Sequence, residues 1–565
     1  MLWRSTPVDA ATRDRLAQSA GVSSRMAEIL IKRGLETPAQ VKAFIHPLLS
    51  TLKDPYEITN LSTAAERLAK AIAGREKVLV FGDYDVDGVT STALLVSILQ
   101  RFGLTPHYLV PRRLEEGYGL SLNAITRALG EFKPSLFVAV DCGTNSVDEV
   151  AHLRSHGIDV IIIDHHTGKT ALPDAILVNP HINDAKDVPW KNLCTVGLVF
   201  KLAHGLLKNL RDQGDETAKE IDIKDFLDLV AVGTIADMVP LKGENRILAR
   251  AGLERLPNTG RLGLSALFEI SGMRQGEPIK PYDISFRLGP RINASGRLAD
   301  ASLPIQMLLS RDEKFCRTAA TQLHDYNRER QEIEKLIYEA ALKQIVPTRM
   351  GHVLYDPSWH SGVVGVVASR LTHDLHRPCI VMGGENGLAK GSGRSIEGVN
   401  LVEILSSAQA LLKSWGGHPM AVGVSIDPAN LEAFREAFDT SLRQKLEGRD
   451  PEKILNVTAI LKPHEVTQHF LEEMDQLYPH GIENPVPIFA LESIQLPAPV
   501  EIFSENHYRF QLPLEAGKTL WGVAWNKAKN LPPTDKPISV AFELGWNNWK
   551  GRKYMQATLV DWRAS

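Results

Sequence analysis

Cysteine is scarce in this chain. Four residues (Cys142, Cys194, Cys316 and Cys379) are spread over 565 positions with no CxxC pair. That excludes a disulfide scaffold and a structural zinc site of the usual spacing, and it fits a reducing compartment. Long apolar runs are missing too. The longest, such as Val160-Ile161-Ile162-Ile163, are strand-sized and fall far short of the roughly 18 residues a membrane helix needs. The opening MLWRSTPVDAATRDRL has no apolar signal-peptide core, so a cytoplasmic location is expected. No charge of one sign dominates: 64 Lys and Arg stand against 67 Asp and Glu, a net charge of −3. A polyanionic partner would therefore have to be held by a local patch. Internal repeats and low-complexity tracts are also absent. The 44% hydrophobic and 23% charged content is that of a globular protein, and the length calls for several domains at about 150 residues each.

The pattern changes along the chain. Residues 1–50 read as short amphipathic helices, with Thr37-Pro38 a helix start. From residue 51 to about 305, helical stretches alternate with short apolar runs at 77–81, 136–140 and 160–163, each followed at once by polar residues. Buried parallel strands look like this, and their repetition predicts a doubly wound α/β sheet. Residues 306–345 hold a long charged segment that reads as a connecting helix, and 346–445 as a second, smaller α/β unit. The Pro-punctuated remainder, 446–565, predicts a small β-barrel.

The sharpest chemical signal is Asp83-Tyr84-Asp85-Val86-Asp87-Gly88, directly after a strand. Three carboxylates at i, i+2 and i+4 in a turn converge, which is costly without a cation. An EF-hand loop opens the same way but needs flanking helices and a Glu at position 12, where this chain has Leu94. Two further strand ends carry Asp141-Cys142-Gly143-Thr144 and Asp164-His165-His166, and Asp237 interrupts an apolar segment. Ligands bind at the carboxyl ends of strands in open α/β sheets, and a carboxylate-rich set with imidazole and no thiolate suits Mn²⁺ or Mg²⁺. In Gly391-Ser392-Gly393-Arg394-Ser395, small residues would let the backbone approach an anion while Arg394 supplies a bidentate fork.

The tail carries a separate signal. From His507 onward it holds five of the nine tryptophans and nine Lys or Arg against four acids, a formal charge of +5. Aromatics interleaved with cations on a β platform suit single-stranded nucleic acid. Trp546 and Trp549, beside Asn547, Asn548, Lys550 and Arg552, are expected to be the exposed stacking pair, with other tryptophans in the barrel core.

The motifs DYDVDG, DCGT, DHH and GTIADMVPL, in this order, resemble the DHH phosphoesterase superfamily. EGYGL, RINASGR, WHSGVVGVVASRL, GSGRS and GGHPMAVG narrow the resemblance to its RecJ exonuclease family, with Ser361 and Val422 departing from the residues usual there. The resemblance implies a DHH catalytic domain, a DHH-associated domain and a C-terminal OB-fold. It also implies two metal ions, with Asp141 bridging, Asp83 and Asp85 serving one ion, and Asp87, His165 and Asp237 the other. Asp164 would orient an imidazole, and His166 would contact phosphate or donate a proton. Arg113, Ser392 and Arg394 would hold a 5′-phosphate. Arg297 would serve the scissile phosphate and His418 the same cleft, and Arg291 and Asn293 of the Arg297 motif would bind substrate. The expected activity is degradation of single-stranded DNA from its 5′ end to 5′-mononucleotides, by a monomer working beside single-strand-binding protein and a RecQ-type helicase. A DHH phosphodiesterase of oligoribonucleotides or small nucleotides is the alternative, and a non-catalytic scaffold would have lost ligand positions that are all filled here.

Overall fold

The short apolar runs form buried parallel strands. Val78–Gly82, Leu136–Val140 and Asp159–Ile163 are joined by His107–Leu109 and Ile176–Val178 in a five-stranded sheet in which every pair is parallel. The computed structural model describes residues 1–565 except 113–115, 118, 170, 498, 550, 551 and 565. The spatial order runs 107–109, 78–82, 136–140, 159–163, 176–178. The chain reverses its direction of winding between Val78–Gly82 and Leu136–Val140. A crevice opens at such a switch point outside the strand ends, and these two strands end at Asp83 and Asp141. The helix Val86–Arg101 starts directly after the metal turn because Asp85 caps it, accepting from the N–H groups of Asp87 and Gly88.

The long helix is Glu313–Leu342, and it connects by belonging to two cores. Cys316, Ala319, Ala320 and Leu323 pack with the catalytic sheet and its helices, whereas Ile337 and Ala341 pack with Val364, Val367 and Val381 of the next unit. That unit is a five-stranded mixed sheet in the order 412–418, 421–426, 388–394, 379–385, 352–356, with the last two strands parallel.

The tail forms a seven-stranded sheet dominated by the antiparallel pair Ile538–Trp549 and Arg552–Ala564. The expected separate N-terminal segment belongs to this body. Thr37 and Gln40 form the capping box that starts the helix Pro38–Ile45. Met26, Ile29, Leu30 and Phe44 share one apolar core with Leu471, Leu477, Phe489 and Phe542. Leu2–Arg4 pairs in parallel with Ile454–Asn456. The amphipathic faces of those short helices pack on one another and on residues more than 400 positions away, which local periodicity does not reveal. Among the described residues no helix is long and apolar enough to cross a membrane.

Candidate metal centre and phosphate site

Each strand end delivers a ligand-type side chain to one place. Gly88 makes the first turn possible, since a Cβ there would stand 2.3 Å from the Asp83 carbonyl oxygen. Asp141 follows its strand in the left-handed region at φ 65°, a conformation Asp and Asn tolerate better than most residues. The ligand-type atoms of Asp83, Asp85 and Asp141 lie within 4.8 Å of one another, as do those of Asp87, His165 and Asp237, and of Asp141, His165 and His166. All six residues read as ligands from the sequence are thus brought together, and Asp141 stands in two of the groups.

The polar partners of these side chains are incomplete in a telling way. Asp87 is buried and accepts from the backbone N–H groups of Thr195 and Val196 at 2.7 and 2.8 Å, the start of the helix Thr195–Asp212. Asp141 accepts from the Thr195 hydroxyl at 2.9 Å. His165 Nε2 lies 3.5 Å from Asp141, 3.6 Å from Asp237 and 4.0 Å from Asp87, yet it is buried without a hydrogen bond, and so is Asp237 Oδ2. Burial, helped by the charge on His166, holds the His165 imidazole down to about 4. It is therefore neutral at pH 7, and these contacts are not ion pairs. Burial and then the Asp85 charge push Asp87 up to about 7. Burial and then the charge of Asp87 drive Asp141 and Asp237 well above the carboxylate range. Buried carboxylates that repel, and a neutral imidazole with an unused nitrogen, fit a shared divalent cation.

Asp164 is not in this ligand set. It accepts from the backbone N–H groups of His165, His166 and Thr144 and from His166 Nδ1 at 2.7 Å, so the imidazole it orients is that of His166. Burial alone would raise Asp164, but the His166 hydrogen bond and the two histidine charges outweigh it and hold the carboxyl below its usual range. Burial alone would lower His166, and Asp164 overrides it, raising His166 to about 9. Sequence reasoning passed over Thr195, whose signal was weak, and Asn179, a buried amide donating to the Thr144 hydroxyl and the His166 carbonyl.

The phosphate residues divide. Ser392 and Arg394 meet at the start of the helix Val364–Leu375, where a Cβ on Gly365 would stand 3.2 Å from Ser392 Oγ and 3.5 Å from Arg394 Nη2. Gly391 serves packing instead of anion approach, because a Cβ there would meet the Val381 carbonyl at 2.1 Å. His418 is exposed and lies in one cross-strand row with Ala421 and Arg394, so His418 and Arg394 share a face of the sheet. Arg297 donates to the Gly362 carbonyl at 2.9 Å, where the two α/β units meet. Arg291 is turned away from the crevice: it donates to the Arg287 carbonyl and to His324 Nδ1, its helix having rotated it onto the long helix. Asn293 Oδ1 is buried without a partner. Arg113 lies outside the described residues. Among the described residues of the tail the exposed tryptophans are Trp521 and Trp525, 45% and 51% exposed, and the expected Trp546 is not one of them. Trp546 packs on the core, donates to Asp475 and lies under Lys553, and the side chain of Trp549 is not described.

This switch-point crevice, lined by carboxylates and one bare imidazole nitrogen, defines a metal-dependent phosphoesterase of the DHH class. Its sheet matches the DHH family N-terminal domain over residues 77–234, the next unit matches the DHHA1 domain over 345–444, and the tail matches the RecJ OB domain over 457–561. The chain is 34% identical to the single-stranded-DNA-specific exonuclease RecJ of Bacillus subtilis, over 99% of this chain and 70% of that one. It is 33% identical to the Escherichia coli exonuclease of the same name, over 94% of this chain and 95% of that one. The crystal structure of RecJ in complex with Mn²⁺ from Thermus thermophilus is similar over all of this chain and 80% of its own, with a TM-score of 0.85 at 30% identity. A Mg²⁺ complex from the same organism gives 0.79 at 29% identity. The chain belongs to the RecJ family of single-stranded-DNA-specific exonucleases.

Proposed function

We propose that this protein degrades single-stranded DNA from a 5′ end, releasing 5′-mononucleotides, with two Mn²⁺ or Mg²⁺ ions. The observation that carries the reading is the pair of buried atoms without hydrogen bonds, His165 Nε2 and Asp237 Oδ2, 3.6 Å apart beside Asp141 and Asp87. Asp83, Asp85 and Asp141 would hold one ion, and Asp141, Asp87, His165 and Asp237 the other. When bound, such a pair activates water and offsets charge on the phosphoryl and leaving oxygens. The chain's own residues supply the rest. Asp164 keeps His166 protonated and fixed through Nδ1, so His166 offers a proton toward the leaving oxygen. Arg297 holds the scissile phosphate, and Ser392, Arg394 and His418 the 5′-phosphate, with Arg113, which lies outside the described residues, assigned to the same phosphate from the sequence. Trp521 and Trp525 provide the tail's stacking surface.

We infer that the protein's role is in DNA repair and recombination, in the cytoplasm. It would act as a monomer, with a single-strand-binding protein on its substrate and a RecQ-type helicase opening the duplex. The test is an internally labelled single-stranded oligonucleotide with one end blocked, incubated with Mn²⁺, Mg²⁺ or chelator beside an Asp141→Ala control. Loss only from a free 5′ end, abolished by chelator and by the substitution, is the expected result. Intact DNA with hydrolysis of dinucleotides would sink the exonuclease reading and leave a small-substrate phosphodiesterase.

A further inference from the structure

Four large apolar side chains stand in solvent on the way from the metal centre to the tail body. Met238 is 62% exposed, Tyr282 63%, Phe286 66% and Ile482 40%. Backbone contacts place them on one path. Met238 directly follows Asp237. The Leu241 N–H donates to the Ile482 carbonyl at 2.9 Å, which ties the Asp237 loop to the segment entering the tail sheet. Tyr282 and Phe286 lie on the helical run that leads into Gly289–Leu298, the helix of Asn293 and Arg297. Gly289 abuts the residue before Asp237, since a Cβ there would stand 3.7 Å from Ala236 Cβ. At the other end of the run, the Ile279 carbonyl accepts the Tyr478 hydroxyl at 3.2 Å. The metal centre and the tail body therefore bracket the two rings.

The rings already form a platform. They stack on each other with centroids 4.7 Å apart and planes 29° from parallel, and Phe286 is part of a π-turn, Ile284–Leu288. Such turns are rare and gather at functional sites. The intervening carboxylate, Asp283, is engaged by Arg287 and by the Lys280 N–H, so its charge is compensated where a phosphate chain would pass. No core position requires either ring: both are more exposed than any tail tryptophan whose exposure is given.

We propose that Tyr282 and Phe286 form a stacking site for an unpaired base of the substrate strand, on the side of the cleaved linkage away from the gripped 5′ end. The proposal rests on the nuclease reading above and adds a source of strand selectivity. A base inside a duplex has both faces covered by its neighbours, so only a single strand can offer one to these rings.

The experiment measures binding of a single-stranded oligonucleotide carrying one abasic position, moved stepwise from the 5′ end, with chelator present so that nothing is cut. The intact protein is compared with Tyr282→Ala, Phe286→Ala and the ring-preserving Tyr282→Phe. We expect one or two positions where removing the base weakens binding to the intact protein by about tenfold, within the range of one stacked base. At those positions the alanine variants should show no further loss, and Tyr282→Phe should behave as the intact protein does. If the alanine variants bind every oligonucleotide as the intact protein does, while the intact protein still cuts single strands when metal is added, the stacking site is refuted and the nuclease reading stands. If the alanine variants bind more weakly but keep the full abasic penalty at every position, the rings contact something other than a base and the proposal fails. If the intact protein neither binds nor cuts single strands, the nuclease reading fails and the stacking site falls with it.

Discussion

Replacing Asp141 by Asn should make the metal-free protein more stable and the enzyme inactive. Asp141 is 1% exposed, and its carboxylate lies within 4.8 Å of those of Asp83 and Asp85. Two unit charges at that distance repel by about 3.5 kcal/mol at an effective dielectric of 20. A carboxyl can escape such repulsion by taking up a proton. At pH 7, starting from an ordinary value of 3.8, that caps the strain at about 4 kcal/mol. Asn removes the charge, keeps an oxygen for the Thr195 hydroxyl and suits the left-handed backbone at φ 65°. The gain without metal is therefore about 1–4 kcal/mol, or several degrees in the melting temperature of the catalytic domain. Metal reverses the ranking. An ion at a hundred times its dissociation constant stabilises the parent by about 2.7 kcal/mol, and the variant forfeits most of that increment. Hydrolysis of single-stranded DNA should fall by at least about a hundredfold, since even the outer partners of metal ligands cost up to that much. Thermal unfolding in chelator and along a Mn²⁺ titration, with exonuclease rates on the same samples, reads all three. A variant that melts several degrees below the parent in chelator, or gains as much as the parent from Mn²⁺, would refute the reasoning.

Three other substitutions test the remaining physics. Arg246→Met should lower the stability of the tail body by about 3 kcal/mol and open the chain near residue 480 to protease, because the carbonyls of Phe44 and Gln476 lose their side-chain donor and those of Leu477, Tyr478 and Pro479 keep only Asn484 or Arg250; equal proteolysis of parent and variant would count against it. Trp521→Ala and Trp525→Ala should each weaken oligonucleotide binding by about 1–3 kcal/mol in anisotropy at fixed salt, whereas Trp546→Phe should leave binding nearly intact. Burial, reinforced by Arg377, holds buried His352 down to about 4. Between that value and 6.5 the unfolded chain binds a proton that the folded chain refuses, so stability falls as pH drops through this window, by up to about 3 kcal/mol. His352→Asn should abolish that part of the acid loss in thermal melts between pH 4 and 7.

The catalytic sheet and its ligands were legible because both are local signals. A strand buried on both faces must be apolar throughout, and a metal turn must put its carboxylates within a few residues, so 77–81 and Asp83, Asp85 and Asp87 declared themselves together. What could not be read was anything decided by a distant partner. Thr195 holds Asp87 and Asp141 from more than fifty residues away, and nothing in its apolar neighbourhood marks it. Arg291 sits six residues before Arg297 in one motif, yet a turn and a half of helix sends it to His324 instead of the crevice. The polar neighbours of Trp546 suggest a surface ring, but strand alternation beside the core and the carboxylate of Asp475 claim it. Gly391 is glycine because a neighbouring strand's carbonyl is there, a reason invisible without the sheet register.

The two accessory bodies are attached to the catalytic domain by different physics. Arg246 is 2% exposed, lies over the Phe44 ring at 3.7 Å and spends all five donors on carbonyls of Phe44, Gln476, Leu477, Tyr478 and Pro479. Pulling the tail body away would strand that charge without a partner, a penalty of several kcal/mol. The second α/β unit has no such clamp among the described residues. It rides on the far half of the long helix and touches the site through the Arg297 bond to Gly362, where a Cβ on the glycine would stand 2.8 Å from the Arg297 carbonyl. A neutral carbonyl accepts from an arginine less strongly than a phosphate oxygen does. The less firmly clamped side is thus the one that carries Ser392, Arg394 and His418, and the residue at its seam is the one proposed for the scissile phosphate.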